Sequence, residues 1–126
     1  MQGLFTFVVA NTTAAGHDAF SVTCSPRGGV TVTSATTPGL ARGLLEYLRK
    51  RGGDIFWSGD TFDENLTRRP APASFSGSSW AEHRYFLNVV TYSYTTAFYD
   101  WEKWEYLLDW AVLHGVTLPL AVGGQE

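Results

Sequence analysis

Residues 84–126, RYFLNVVTYSYTTAFYDWEKWEYLLDWAVLHGVTLPLAVGGQE, constrain the fold more tightly than any other stretch. Tyr85, Leu87 and Val89 alternate with Phe86, Asn88 and Val90, an aromatic and β-branched run suited to a strand covered on both faces. Asp100 offers an N-cap carboxylate to a helix whose Trp101, Trp104, Leu108 and Ala111 recur at steps of three and four. Tyr106, Trp110 and Leu113 form a second stripe, so the spacing predicts a helix covered on more than one side. His114 and Gly115 close it: a cation-capable side chain in the last turn, then a residue that accepts a left-handed backbone. Val116–Val122 is a second apolar strand. A parallel return needs a crossover of about a dozen residues, almost always right-handed, so the stretch is predicted to be one βαβ unit. One such unit cannot bury its own sheet. Two strands followed by Gly123-Gly124-Gln125-Glu126 therefore imply the opening of a larger α/β structure.

Composition narrows the classes. Hydrophobic residues at 44% and charged residues at 17% describe a globular chain, and its 126 residues suit one domain, or a small domain plus part of another. No apolar run approaches the roughly 20 residues of a membrane-spanning helix. The net charge of −3, with basic residues gathered only at 49–51 and 68–69, excludes a nucleic-acid binder. A single cysteine, Cys24, excludes an internal disulfide and a cysteine metal cluster. The opening MQGLFTFVVANTT lacks a basic n-region and reads as a strand, so no secretory signal is visible. Asn11-Thr12-Thr13 and Asn65-Leu66-Thr67 fit the N-glycosylation pattern, a weak pointer to a secreted setting. Five tryptophans serve either a packed core, the preferred reading, or a sugar-stacking platform.

The first half reads as β-β-β-α-β. Leu4–Val9 alternates as a half-buried strand; Phe20, Val22 and Cys24, then Val30 and Val32 across the turn Ser25-Pro26-Arg27-Gly28-Gly29, form an antiparallel hairpin. Thr37-Pro38 opens a helix with Leu40, Leu44, Tyr47 and Leu48 as its buried face. Gly39 and Gly43, each about 1 kcal/mol worse than alanine in a helix, point to close approach of this helix to a sheet. Arg49, Lys50 and Arg51 complement the helix dipole at a terminus ended by Gly52-Gly53, which is preferred to a phosphate site. Ile55-Phe56-Trp57 is a short strand. The Pro-, Ser- and Gly-rich run after it reads as a linker. The expected division is thus an α/β domain over 1–60, a linker over 61–82, and the βαβ unit over 83–126.

No motif completes a chemical site by itself. His17, His83 and His114 lack metal-site spacing, Gly123-Gly124 opens no phosphate loop, Asp63-Glu64 reads as solvated, and Ser58 and Ser93 have no evident His/Asp partners. Two polar features interrupt apolar surroundings: Asn88 within the first strand, and Gln125-Glu126 just past the carboxyl end of the second. Parallel α/β folds bind ligands at that end. On spacing alone, Asn88 suits a ligand contact or an amide bonded to a neighbouring loop, and Glu126 suits a site carboxylate or a frayed end.

Several segments resemble the α-N-acetylglucosaminidases of glycoside hydrolase family 89. They are Arg84-Tyr85-Phe86-Leu87-Asn88-Val89-Val90-Thr91-Tyr92-Ser93-Tyr94, Tyr99-Asp100-Trp101-Glu102-Lys103-Trp104-Glu105, Asp109-Trp110, His114-Gly115-Val116 and Leu118-Pro119-Leu120-Ala121-Val122-Gly123-Gly124-Gln125-Glu126. The family pattern is RYYxNxCTxSY, then WDWxxWExxIDWMALxGxNLxLA ending in GQE. Leu44, Tyr47-Leu48-Arg49 and Trp57-Ser58-Gly59 also match the small domain before the family's barrel. The resemblance implies an α+β N-terminal domain followed by an incomplete (β/α)8 barrel, since a whole barrel needs about 250 residues. It implies a retaining exo-hydrolase acting on glycans with terminal α-linked N-acetylglucosamine, working through two glutamates about 5 Å apart. Neither glutamate has a match here, so no catalytic residue is assigned and the piece alone is expected to be inactive.

Carried over by position, Asn88 matches a sugar-pocket asparagine and Val90 falls where the family often has a pocket cysteine. Glu126 ends the GQE segment, while Val122 and Gly123 depart from the usual residues before it. The implied partners are the glycan and the remainder of the barrel, with no cofactor, metal, nucleic acid or membrane, and the implied setting is secreted or lysosomal. A stand-alone carbohydrate-binding or interaction module is the alternative.

Overall fold

The computed structural model describes residues 5–56, 61–62, 72–87, 90–91 and 94–120. Strands β1 (Phe5–Val9), β2 (His17–Cys24) and β3 (Val30–Ser34) are followed by helix α1 (Thr37–Lys50) and two short strands, β4 (Asp54–Ile55) and β5 (Thr61–Phe62). Then come β6 (Phe75–Ser79), β7 (Tyr85–Phe86), helix α2 (Trp101–Leu113) and β8 (Leu118–Pro119).

The main sheet runs β1-β3-β2-β6. The expected hairpin is present, with Val22 opposite Val32 and Cys24 opposite Val30. Alternation decides its faces: Phe20, Val22, Val30 and Val32 point to one side and, with Tyr47 of α1, make the core. β1 lies parallel to β3, Phe5 opposite Val30, and its Phe5 ring meets Tyr47 edge-on at 5.5 Å.

Helix α1 begins one residue earlier than the Thr37 cap expected: the Thr36 side chain accepts the Gly39 N–H, and Pro38 follows in the first turn. Its two glycines allow the approach anticipated. A Cβ on Gly43 would lie 2.6 Å from Val32 Cγ1, and one on Gly39 would lie 2.1 Å from Ser34 Oγ. Leu40 and Leu48 pack partly buried against the core. Leu45 is fully buried yet stands outside that cluster, as suits a helix that packs on the sheet and on α2. The basic end of α1 is engaged within the protein. Arg49 Nε donates to both carboxylate oxygens of Asp54 at 3.1 Å, and Lys50 Nζ sits 4.9 Å over the Phe75 ring.

Phe75–Ser79 departs from the expectation of a linker over 61–82. It is a strand of the main sheet, antiparallel to β2, with Phe75 opposite Val22 and Gly77 opposite Phe20. FSGSS carries no hydrophobic alternation, and its place is set by β2: the Phe20 ring covers Gly77, where a Cβ would lie 2.7 Å from Phe20 Cζ. The strand expected over Ile55-Phe56-Trp57 is confined to Asp54–Ile55 among the described residues.

The strand–helix–strand order of the last third is present. β7 and β8 pair in parallel, Tyr85 opposite Leu118, and the Leu120 N–H donates to the Phe86 carbonyl at 3.0 Å. Asp100 caps α2 by accepting the Lys103 N–H at 3.1 Å, while His114 and Gly115, at φ 81°, end it as expected. Two corrections apply. β7 covers only Tyr85–Phe86, because Leu87 takes φ 74°, a left-handed backbone that ends the extended run, and Tyr85 is exposed rather than covered on both faces. On α2 the buried positions are Leu107 and Ala111, whereas Trp101 and Leu108 are exposed. The second stripe is half-buried and bonds to the β4 segment: Tyr106 Oη donates to the Phe56 carbonyl at 2.9 Å and Trp110 Nε1 to the Ile55 carbonyl at 3.1 Å.

Candidate functional site

Two structures flank β7. At its amino end an ionic hub holds the strand in place. Asp18, itself at φ 47°, accepts the Thr36 hydroxyl at 2.6 Å and pairs with the Arg84 guanidinium. Arg84 also donates to the Ala81 carbonyl at 2.6 Å and to the Gly115 carbonyl, which fixes the end of α2. The cap of α1, the start of β7 and the end of α2 thus converge on one carboxylate and one guanidinium. Burial pushes the Asp18 carboxyl up, but the Thr36 hydroxyl and Arg84 outweigh it and hold the group below its ordinary 3.8.

Beside β7 and the residues after it lies an open groove of about 540 Å³, lined by Tyr85, Phe86, Leu87, Thr91, Thr95, Thr96, Leu107 and Trp110. Its rings are ordered by packing: Phe86 and Trp110 are 5.3 Å apart, and Trp110 is tethered through its indole N–H to Ile55. Thr96, buried, donates its hydroxyl to the Thr91 carbonyl at 3.1 Å. An apolar floor with threonine hydroxyls at its side suits a ligand with one hydrophobic face and several hydroxyls, the two-sided character of a pyranose.

The residues singled out from sequence fall unevenly around this groove. Val90, read as a strand residue, occupies a helical turn with Thr91 and is 55% exposed; Thr91, one position on, lines the groove. Asn88 and Glu126 lie outside the described residues. The threonines Thr91, Thr95 and Thr96 were not foreseen, and no spacing rule marks them: they are brought together by the loop that precedes α2. The tryptophans divide between roles. Trp110 is a packing residue, whereas Trp80 is 96% exposed.

Comparison with known proteins defines first the class. Structures of a glycoside hydrolase superpose on nearly the whole chain. The family 89 glycoside hydrolase from Clostridium perfringens in complex with PUGNAc matches with a TM-score of 0.80 and 31% identity, over 97% of this chain and 14% of that one. The same organism's enzyme in complex with its substrate GlcNAc-α-1,4-galactose matches with a TM-score of 0.78 and 32% identity, over 93% of this chain and 13% of that one. Residues 84–126 match the model of the alpha-N-acetylglucosaminidase (NAGLU) TIM-barrel domain. Human alpha-N-acetylglucosaminidase is 34% identical over 112 residues, 88% of this chain.

The chain is therefore a relative of the α-N-acetylglucosaminidases, glycoside hydrolase family 89. It spans 15% of the length of the human relative.

Proposed function

We propose that this chain supplies the α/β layer and the first βαβ unit of the (β/α)8 barrel in a retaining exo-glycosidase that removes terminal α-linked N-acetylglucosamine from glycans. The observation that carries this reading is the match of residues 84–126 to the family's barrel-domain model. In this reading β7 and β8 are the first two barrel strands, and the groove beside β7 is one wall of the sugar pocket. Asn88, Val90 and Glu126 are assigned to substrate binding only by their places in the RYFLNVV and GQE segments. The two catalytic glutamates belong to other barrel strands, so the chain's partners are the glycan and those strands, and its setting is secreted or lysosomal.

The test is a transplant. Residues 84–126 replace the corresponding segment of the Clostridium perfringens enzyme, and hydrolysis of an aryl α-N-acetylglucosaminide is followed. Retained turnover is expected. Asn88→Ala in the transplant should then lower kcat/KM about 10- to 100-fold, the loss of one hydrogen bond to a sugar hydroxyl or amide in a dry pocket. A folded transplant without turnover overturns the reading. The 126-residue chain by itself should release no aglycone, and measurable turnover by it would show that the acids are not elsewhere.

A further inference from the structure

His114 stands at the junction of the two helices and satisfies both ring nitrogens in a way that only one protonation state permits. Its Nδ1 lies 2.8 Å from the Trp110 carbonyl oxygen, and its Nε2 lies 3.0 Å from Arg49 Nη2 on α1. A carbonyl oxygen only accepts, and a guanidinium only donates. Nδ1 must therefore carry the proton while Nε2 presents its lone pair to Arg49. This is the neutral imidazole in a single tautomer. An imidazolium would aim an N–H at the Arg49 N–H and place two cations in contact.

The surroundings reinforce the same state. The imidazole stacks on Trp110 at 4.2 Å with a 24° tilt, which removes one face from water. From α1 come Arg49 and Arg42, whose Nη1 donates to the His114 carbonyl at 3.3 Å. Glu46 balances both arginines, at 2.6 Å from Arg42 and 3.4 Å from Arg49. From β4 comes Asp54, paired with Arg49, and from the start of β7 comes Arg84, bonded to the neighbouring Gly115 carbonyl. Burial depresses the imidazole first, and Arg49 and Arg42 add to it. The pull of the Trp110 carbonyl and of Asp54 does not restore the ordinary 6.5.

We propose that the Arg49–His114 contact is a proton-gated latch between α1 and α2, closed on the neutral imidazole and released when Nε2 takes a proton. A histidine whose folded-state pKa is depressed leaves the folded form with fewer protons than the unfolded one. The latch therefore contributes its full stabilisation above pH 6.5 and loses it as pH falls through the folded value. Below that midpoint the released form gains about tenfold on the closed form per pH unit.

The test uses the whole chain with 13C-labelled histidine. Its three histidines, His17, His83 and His114, are assigned by the loss of one signal in His114→Gln. His114 is expected to show the Nδ1–H tautomer at neutral pH and a titration midpoint below 6.5. Arg49→Met should raise that midpoint by about half a unit or more, roughly a threefold gain in proton affinity. A packing role alone would not move it in that direction. In His114→Gln, whose amide donates and accepts without titrating, the loss of stability between pH 7 and pH 5 should flatten. An Nε2–H tautomer, a midpoint at or above 6.5, or a midpoint unmoved by Arg49→Met would each overturn the latch.

Discussion

Gly39→Ala is expected to destabilise the chain by about 3 kcal/mol, the upper part of the range for forcing extra volume into a packed core. Helix propensity alone predicts the opposite sign, a gain of about 1 kcal/mol for alanine in a helix. The added Cβ would fall 2.1 Å from Ser34 Oγ and 2.9 Å from the Asp18 carbonyl oxygen. Ser34 cannot swing aside without loss: it is fully buried, its hydroxyl donates to the Ala19 carbonyl at 2.7 Å, and its Oγ accepts the Thr36 N–H at 3.2 Å. Gly43→Ala should follow with a loss of about 2 kcal/mol, since fully buried Val32 on the inner strand β3 lies under it. Urea unfolding with an unchanged m-value is the measurement, and stabilisation in either variant would show that α1 lifts off the sheet freely.

Arg84→Met is expected to cost about 2–3 kcal/mol, somewhat less than the loss of one partner from a fully buried ion pair. The change strips Asp18 of its cation and leaves the Ala81 and Gly115 carbonyls without the donor they share. Asp18 also gives the effect a pH signature. Its carboxyl pKa is depressed in the folded chain, so its contribution is present above pH 3.8 and is lost as pH falls through the lower folded value. Arg84→Met should flatten that acid dependence, and Thr36→Val, which removes the hydroxyl donor, should flatten it as well. Equal acid profiles for wild type and Arg84→Met would remove Asp18 from the hub.

Where local pattern and tertiary packing agree, the chain was readable from its letters. Val30 and Val32 against Phe20 and Val22 gave the hairpin and its inward face, and Asp100 with His114-Gly115 gave both ends of α2. The pattern failed where partners decide. Phe75–Ser79 has one large apolar residue, and it becomes a strand because β2 presents an unpaired edge and a ring that only glycine admits. The strand drawn through Val90 stops at Phe86, because Leu87 takes a backbone conformation that no propensity scale assigns to leucine. On α2 the tryptophans mask Leu107 in the sequence, yet it is buried together with Ala111. The candidate site shows the same division. Asn88 stays an expectation, drawn from an amide that breaks an apolar run and lying outside the described residues, while Thr91, Thr95 and Thr96 acquire meaning only once the fold places them around one groove.

The seat of β6 bears on how such a protein can be cut and recombined. A boundary drawn at residue 60 would strip β2 of its outer neighbour and lay the Phe20 ring open, so the first layer is not a cassette that ends with β4. The smallest piece that keeps all four strands of the main sheet runs to Ser79, and the next five residues reach Arg84, whose side chain clasps Asp18 back in β2. Recombination of this layer with other sequences is thereby restricted to breakpoints that carry this clasp along.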